Sequence, residues 1–338
     1  MERGFDIRRF VTVRGVTATA LFALVVVVLA TLPNVVGDRV SDALAGLADA
    51  RPAWLWLAAF CFVGSFLSTA WAWRAALRLV GGRLSYSDAA ARWAIGSLVN
   101  SFSPVRAGEA VRLALFARAL RGPDRGWRTG SVLGVVTAIR SSIFALMVLA
   151  AAAAGAVPLW PVLVLSGITL AAAVVAVAMR DRMPSRRRSV AHVLDAFREL
   201  GRNPRRGAVV AAWFVCATVI RLGAAASIAA ALGVRAPIAA AAIIIPALDL
   251  AGLIPISWGI TSGTVVVALA AHGVPASLGV TTGLAFHAVE TAAGISFGIA
   301  GALLLAPFRS PRLLRYVAAA TSVAVVAAVG ATLALEYA

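Results

Sequence analysis

The chain has 338 residues, of which 61% are hydrophobic, and it carries a formal net charge of +17. Soluble domains are nearer to half apolar, so this composition excludes an ordinary soluble protein and indicates an all-α, polytopic membrane protein. The basic residues are all arginine and fall mostly in short loops between apolar runs, as the positive-inside rule predicts. The positive charge is therefore explained without a nucleic-acid partner.

The first two predicted spans lie at 16–33 and 53–80. The first follows an arginine-rich N-terminus and is interpreted as an uncleaved span that starts in the cytoplasm. The loop at 34–52 is the most acidic one and is expected outside. The second span ends in arginines and returns to the cytoplasm.

Two shorter apolar segments, 88–102 and 104–120, follow the second span. As helices they would be some 22–25 Å long, which is less than the roughly 30 Å of a hydrocarbon core. Arginines flank both far ends, so both ends are expected on the cytoplasmic side. The region at about 88–120 is therefore predicted to be a re-entrant hairpin.

Spans 3, 4 and 5 are predicted at 130–153, 159–179 and 207–232. The loop at 180–206 carries nine arginines against three acidic residues. It is expected in the cytoplasm, against an anionic lipid surface.

A second re-entrant hairpin is predicted at about 237–273, where an apolar run is broken by Pro246 and Pro255 and has little charge at its ends. Spans 6 and 7 follow at 276–306 and 316–335 and leave the C-terminus outside. The fold prediction is one integral membrane domain over residues 1–338, with about seven spans and two hairpins of opposite orientation. Such an arrangement is typical of an inverted repeat.

Both hairpins carry a proline and a glycine near the predicted turn. Pro104 and Gly108 lie in the first hairpin, and Pro255, Ser257 and Gly259 lie in the second. Proline suits the first turn of a helix, and a helix that begins inside the membrane directs unpaired N–H groups toward an anion.

The first hairpin also carries charge. Arg106, Glu109 and Arg112 are three residues apart and can contact one another along one helix face. One interpretation is an internal ion pair that makes the hairpin tolerable in a bilayer. The other is a lipid-phosphate site, since two arginines around one glutamate leave a positive charge that can grip phosphate. Asn100 and Ser103 are further candidates for that site.

Other ionisable residues lie within predicted apolar segments: Arg140, Arg221, Asp249, His287 and Glu290. In one interpretation they form internal charge pairs, with Asp249 on one arginine and Glu290 on the other. In the alternative, the carboxylates and His287 couple proton movement to transport.

The first motif resembles the signature N-x-x-x-P-x-R-x-G-E-x-x-R of the flippase-like membrane domain of lysylphosphatidylglycerol synthases. Its residues here are Asn100, Pro104, Arg106, Gly108, Glu109 and Arg112. The P-x-S-x-G at Pro255 resembles the second motif, although the glutamate that usually follows it is missing. The resemblance implies a stand-alone membrane domain, without the aminoacyltransferase domain, that moves lipids between leaflets.

The function prediction is a flippase-like transporter for a phosphate-bearing lipid, phospho- or polyprenyl-linked, in the cytoplasmic membrane. Neither catalysis nor a cofactor or metal is expected, because the sequence has no glycine-rich phosphate loop and no HExxH motif. The alternative is an accessory subunit, or a transferase partner, in cell-envelope lipid or glycan assembly. That alternative would bring an envelope-biosynthesis enzyme as partner.

Overall fold

The computed structural model describes residues 50–102, 107–122, 124–153, 199–251, 258–270 and 272–305. Within these ranges the secondary structure is helical, without strands. The α-helices are α1 Pro52–Leu77, α2 Tyr86–Phe102, α3 Ala107–Ala117, α4 Arg125–Ala153, α5 Pro204–Ala231, α6 Pro237–Ala251, α7 Trp258–Ala270 and α8 Ala276–Leu305.

Four of these helices, α1, α4, α5 and α8, are long and apolar enough to cross a membrane. They confirm the helices predicted for spans 2, 3, 5 and 6, although α4 begins five residues before the predicted start of span 3 at 130. The predicted spans at 16–33, 159–179 and 316–335, and most of the arginine-rich loop, lie outside the described residues. The total of seven spans therefore stays a prediction.

The two predicted hairpins correspond to two pairs of short helices. The pair α2 and α3 has 17 and 11 residues, and the pair α6 and α7 has 15 and 13 residues. At about 1.5 Å per residue each is shorter than a hydrocarbon core of about 30 Å. Their lengths agree with the predicted hairpins, and their re-entrant placement in a bilayer stays a prediction.

Prolines and glycines set several helix boundaries. Pro52 and Pro204 occupy the first turns of α1 and α5, where the missing N–H leaves no bond unmade. After α1 and a 3₁₀ turn, Gly81 takes a left-handed φ of 78° and ends the helical segment. Pro246 lies inside α6, so its prediction as a break was wrong. A proline inside a helix is tolerated where neighbouring groups satisfy the freed carbonyl.

The described helices repeat the order long, short, short, long. The set α1 to α4 is the first group, and α5 to α8 is the second. Corresponding helices begin 151 or 152 residues apart, at Pro52 and Pro204, Tyr86 and Pro237, Ala107 and Trp258, and Arg125 and Ala276.

The long helices α1 and α5 pack closely and run antiparallel. An added Cβ at Gly64 would lie 3.4 Å from Ile220, and one at Gly223 would lie 3.7 Å from Cys61. Next to the Gly64 contact, Ser65 donates a 3.0 Å hydrogen bond to the carbonyl of Ala217. Small residues allow this close approach of two apolar helices.

The helices α2 and α8 form a second antiparallel seam, which rests on glycines of α8. An added Cβ at Gly298 would overlap Leu98, and one at Gly301 would lie 2.5 Å from Ala94. At one end of the seam, an added Cβ at Gly294 would lie 3.2 Å from Ser101 Oγ. The seam holds the first short-helix pair against the long helix α8.

Candidate functional site

The helices α2 and α3 form an antiparallel pair whose contacts are largely polar. The Asn100 side-chain carbonyl accepts a 2.7 Å hydrogen bond from the backbone N–H of Gly108. Toward the other end, Arg92 donates a 2.5 Å hydrogen bond to the carbonyl of Leu115. These contacts bring the motif residues of the two helices together across four residues, 103–106, that lie outside the described part.

Two glycines allow α2 and α3 to approach closely. A Cβ added to Gly108 would overlap the carbonyl of Gly96 and the side chain of Asn100. A Cβ added to Gly96 would overlap the side chain of Arg112. Glycine is the residue that permits such a close approach of backbone to backbone, or of backbone to a long side chain.

Arg112 is the buried centre of this helix pair, with a side chain only 7% exposed. Its guanidinium donates to the Glu109 carboxylate at 2.6 Å and to Ser97 Oγ at 2.8 Å. Its Nε donates to the carbonyl of Trp93 at 3.4 Å, and its Cζ atom lies over the Trp93 ring, 3.8 Å from the centroid. A buried arginine needs such a complete set of acceptors, because an uncompensated charge in a low-dielectric site is costly.

Glu109 differs from its partner in exposure, since its side chain is 45% exposed. It lies in the first turn of α3, where the positive end of the helix dipole favours a carboxylate. The ion pair therefore has one buried and one accessible partner. Glu109 and Arg112 thus contact each other, as their spacing of three residues predicted.

The sequence reasoning missed Trp93, Gly96 and Ser97 as parts of this site. The signal was present, because positions 93, 96, 97 and 100 recur at helical spacing on one face of α2. Ser103, Pro104 and Arg106 lie outside the described residues. The Gly108 N–H, in the first turn of α3, donates to the side chain of Asn100.

The second pair of short helices lacks these polar groups. With the 151-residue spacing, the positions of Asn100, Glu109 and Arg112 correspond to Ala251, Ile260 and Gly263. Gly259 lies in α7, one residue after its start. Pro255 and Ser257 lie outside the described residues. At these three positions the polar helix pair therefore has an apolar counterpart, although α6 also carries Asp249.

A second polar group links four helices through their side chains, and we call it the ionic chain. Arg140 of α4 lies 3.5 Å from Asp249 Oδ1 of α6, and Arg221 of α5 lies 3.1 Å from the same oxygen. Arg221 also contacts Glu290 of α8 at 3.2 Å. The predicted one-to-one pairing was wrong in detail, because Arg221 binds both carboxylates and Asp249 binds both arginines.

His287 is a half-buried neighbour of the ionic chain on α8, three residues before Glu290. The ring of Phe286 also borders the chain, with the Arg221 guanidinium 5.9 Å from its centroid. Apolar packing continues from there, since Phe286 meets Phe62 of α1 edge to face at 5.0 Å. The charged groups thus sit beside the apolar core.

The α2–α3 pair and the ionic chain approach each other along α8. Gly294 is packed against Ser101 near the end of α2, and Glu290 lies four residues earlier on the same helix. Four residues correspond to about 6 Å along a helix axis. The end of α2 at Ser101 is therefore about one helical turn along α8 from Glu290 of the ionic chain.

The sequence matches the family described as the lysylphosphatidylglycerol synthase TM region over residues 15–298. The chain belongs to this family. Membership agrees with the resemblance carried by the first motif, and it makes the chain a multi-pass membrane protein with a lipid-related function. No curated protein matches the chain significantly.

The family match covers the helices that carry the polar groups. It spans all eight described α-helices, apart from the last turns of α8. Arg140 lies near the middle of α4, and Arg221 is beyond the middle of α5. Ionisable residues at such positions are costly in a bilayer and usually pair or line a polar pathway.

Proposed function

We propose that this protein is a lipid transporter that moves a phosphate-bearing lipid between membrane leaflets. The observation that carries the proposal is the closeness of the two polar groups. The end of the α2–α3 pair at Ser101 lies about one helical turn along α8 from Glu290 of the ionic chain, inside helices that are otherwise largely apolar. A continuous polar zone of this kind suits a headgroup that has to cross a hydrocarbon layer.

In this proposal the first short-helix pair holds the phosphate. Arg106 lies directly before the start of α3, and Arg112 is held within α3 by Glu109, Ser97 and Trp93. Arginine suits phosphate because its planar fork can donate two parallel hydrogen bonds. Since Arg112 already has these protein acceptors, Arg106 is proposed as the principal phosphate ligand. Arg112 and Glu109 then form the rigid base beneath it.

The proposed activity is transport without covalent chemistry. The lipid headgroup is proposed to be a phosphodiester or a polyprenyl-linked phosphate, because both present the same anionic oxygens to arginine. The second pair of short helices has apolar residues at the corresponding positions. It is proposed to line the pathway on the opposite side of the membrane.

The test is translocation by the purified chain in vesicles. Arg106→Ala is expected to abolish movement of a labelled phospholipid between leaflets while the protein stays folded. The matched control is Arg118→Ala, because Arg118 is an exposed arginine just after α3. If Arg106→Ala moves the lipid at the native rate, the phosphate site is wrong. If the unmodified protein moves no phosphate-bearing lipid at all, the transport function is wrong.

A further inference from the structure

The two groups of four helices are related by more than their order. Corresponding helices begin 151 or 152 residues apart, and the corresponding pair α1 and α5 packs antiparallel. Two equivalent helices that run in opposite directions are related by a twofold rotation axis that is perpendicular to both helix axes. In a membrane this is the relation between inverted repeats, which places equivalent surfaces at opposite sides of the bilayer.

Equivalent interfaces can therefore be compared. The seam of α2 with α8 has its counterpart in α6 with α4. The seam is tight because Gly294, Gly298 and Gly301 let α2 approach α8. With the 151-residue spacing, the corresponding positions of α4 are Ile143, Met147 and Ala150. In the described residues α6 makes only a small contact with α4, whereas α2 packs along much of α8.

Side-chain exposure agrees with this difference. Leu146 of α4 is 66% exposed, whereas its counterpart on α8, Phe297, is 8% exposed. Leu149 is 52% exposed, and its counterpart Ala300 is partly buried. The face of α4 that carries Leu146 and Leu149 is thus exposed where the equivalent face of α8 is more covered, although Val148 and Ala152 on another face of α4 are buried.

Arg140 stands at the point where α4 and α6 meet. Its side chain is 57% exposed, and its contact with Asp249 is a single ion pair at 3.5 Å. The same Asp249 oxygen lies closer to Arg221, at 3.1 Å. Arginine has five N–H donors, and the contact with Asp249 engages one nitrogen of Arg140, so most of its donors remain available to a second acceptor.

We propose that the α4–α6 interface is the lateral opening through which a lipid reaches the polar zone, and that Arg140 binds the lipid phosphate there. The acyl chains lie along the exposed surface of α4, beside Leu146 and Leu149. A phosphodiester carries one negative charge, so it can replace Asp249 as the partner of Arg140. Asp249 then remains with Arg221, which already holds it at the shorter distance. This inference rests on the proposed transport function and adds a second phosphate-binding residue on the path to the first.

The binding test uses a benzophenone amino acid in place of Phe144, which lies one helical turn after Arg140 on α4 and is half-buried. The protein is placed in vesicles that contain equal amounts of phosphatidylglycerol and diacylglycerol with identical acyl chains. After illumination, the mass of the intact protein shows which lipid was captured. We expect phosphatidylglycerol to exceed diacylglycerol by about tenfold, the ratio that one charge-assisted hydrogen bond supports.

Two variants assign the selectivity to Arg140. Arg140→Gln is expected to lower the ratio of captured phosphatidylglycerol to captured diacylglycerol to that of the vesicle mixture. The substitution leaves no carboxylate without a partner, because Asp249 still pairs with Arg221. The matched control is Arg206→Gln, because Arg206 is 54% exposed and pairs with Glu199 at 3.4 Å, much as Arg140 pairs with Asp249. The control should keep the selectivity.

If the protein that retains Arg140 captures both lipids equally, the proposal is wrong and this surface is an ordinary lipid-facing one. Unchanged selectivity in Arg140→Gln would overturn it as well. The capture experiment does not depend on transport. A protein that selects phosphatidylglycerol yet moves no lipid would contradict the transport function and leave the Arg140 site standing.

Discussion

The side chain of Arg112 lies against Gly96, with its Cγ, Cδ and Nε atoms in the space that a side chain at position 96 would fill. The arginine reaches Ser97, Trp93 and Glu109 only because α2 has no Cβ at this point. The motif residues of α3 thus depend on a glycine of α2 that belongs to no recognisable motif.

Replacing Gly96 should therefore displace Arg112. Gly96→Ala is expected to lower the free energy of unfolding by about 1–3 kcal/mol, the usual cost of overpacking a filled site. Chemical denaturation in detergent measures the change. The matched control is Gly130→Ala in α4, where an added Cβ meets nothing within 4 Å. That change should stabilise by about 0.5–1 kcal/mol, since alanine favours the helix. Equal effects of the two substitutions on the free energy of unfolding would contradict the packing of Arg112 against Gly96.

Lysine should not replace Arg112. Its single ammonium cannot reproduce the contacts that the guanidinium makes in several directions, nor the stacking on Trp93. Arg112→Lys is expected to reduce stability by about 1.5–3 kcal/mol, the range for a lost hydrogen bond to a charged group. Arg206→Lys, at an exposed ion pair, should change stability by less than about 0.5 kcal/mol. Thermal unfolding of both variants, side by side, checks the difference, and full tolerance of lysine at position 112 would refute the contact set.

The centre of the ionic chain should be more sensitive than its end. Arg221→Gln leaves Asp249 and Glu290 without their shared partner and is expected to destabilise by about 3–5 kcal/mol, as broken buried ion pairs do. Adding Glu290→Gln to this variant should recover part of the loss, because it removes the carboxylate that loses its partner, whereas Asp249 still has Arg140. Denaturation of the single and double variants tests this, and strictly additive losses would show that the two residues do not interact.

The glycine seam between α2 and α8 gives a further prediction. Gly298→Ala is expected to cost about 1–3 kcal/mol, because the new methyl group meets Leu98 and the carbonyl of Ala94. Gly263→Ala in α7 is the control, since an added Cβ there meets nothing within 4 Å. The thermal midpoint of each purified variant is the measurement. An unchanged midpoint for Gly298→Ala would mean that α2 does not rest on α8 as described.

Much of the helix pattern was predictable from local features. Long apolar runs predicted α1, α4, α5 and α8, and the two interrupted apolar regions predicted two pairs of short helices. Pro246 was misread as a break because one proline was weighed against the helix as a whole. The helix α6 nevertheless continues across it.

The candidate site was predictable only in part. The spacing of Glu109 and Arg112 predicted their contact, because both lie on one helix and a helix has a fixed period. The partners on α2 were missed, since Trp93 and Ser97 meet Arg112 only after two helices have packed. The shared position of Asp249 between two arginines was missed for the same reason.

The sequence by itself determined which segments are helical, that the long ones suit a membrane, and that one short-helix pair is charged. These properties depend on hydropathy and on hydrogen bonds within a few residues. The tertiary structure decided that Arg112 is buried against Gly96 and that Arg221 binds both Asp249 and Glu290. It also decided that α2 packs along α8, whereas α6 makes a smaller contact with α4 that includes the ion pair of Arg140 with Asp249. Those contacts join residues on separate helices, up to 109 positions apart for Arg140 and Asp249. Side-chain volume at each helix crossing, and the need of every buried charge for a partner, select among the pairings that the sequence alone allows.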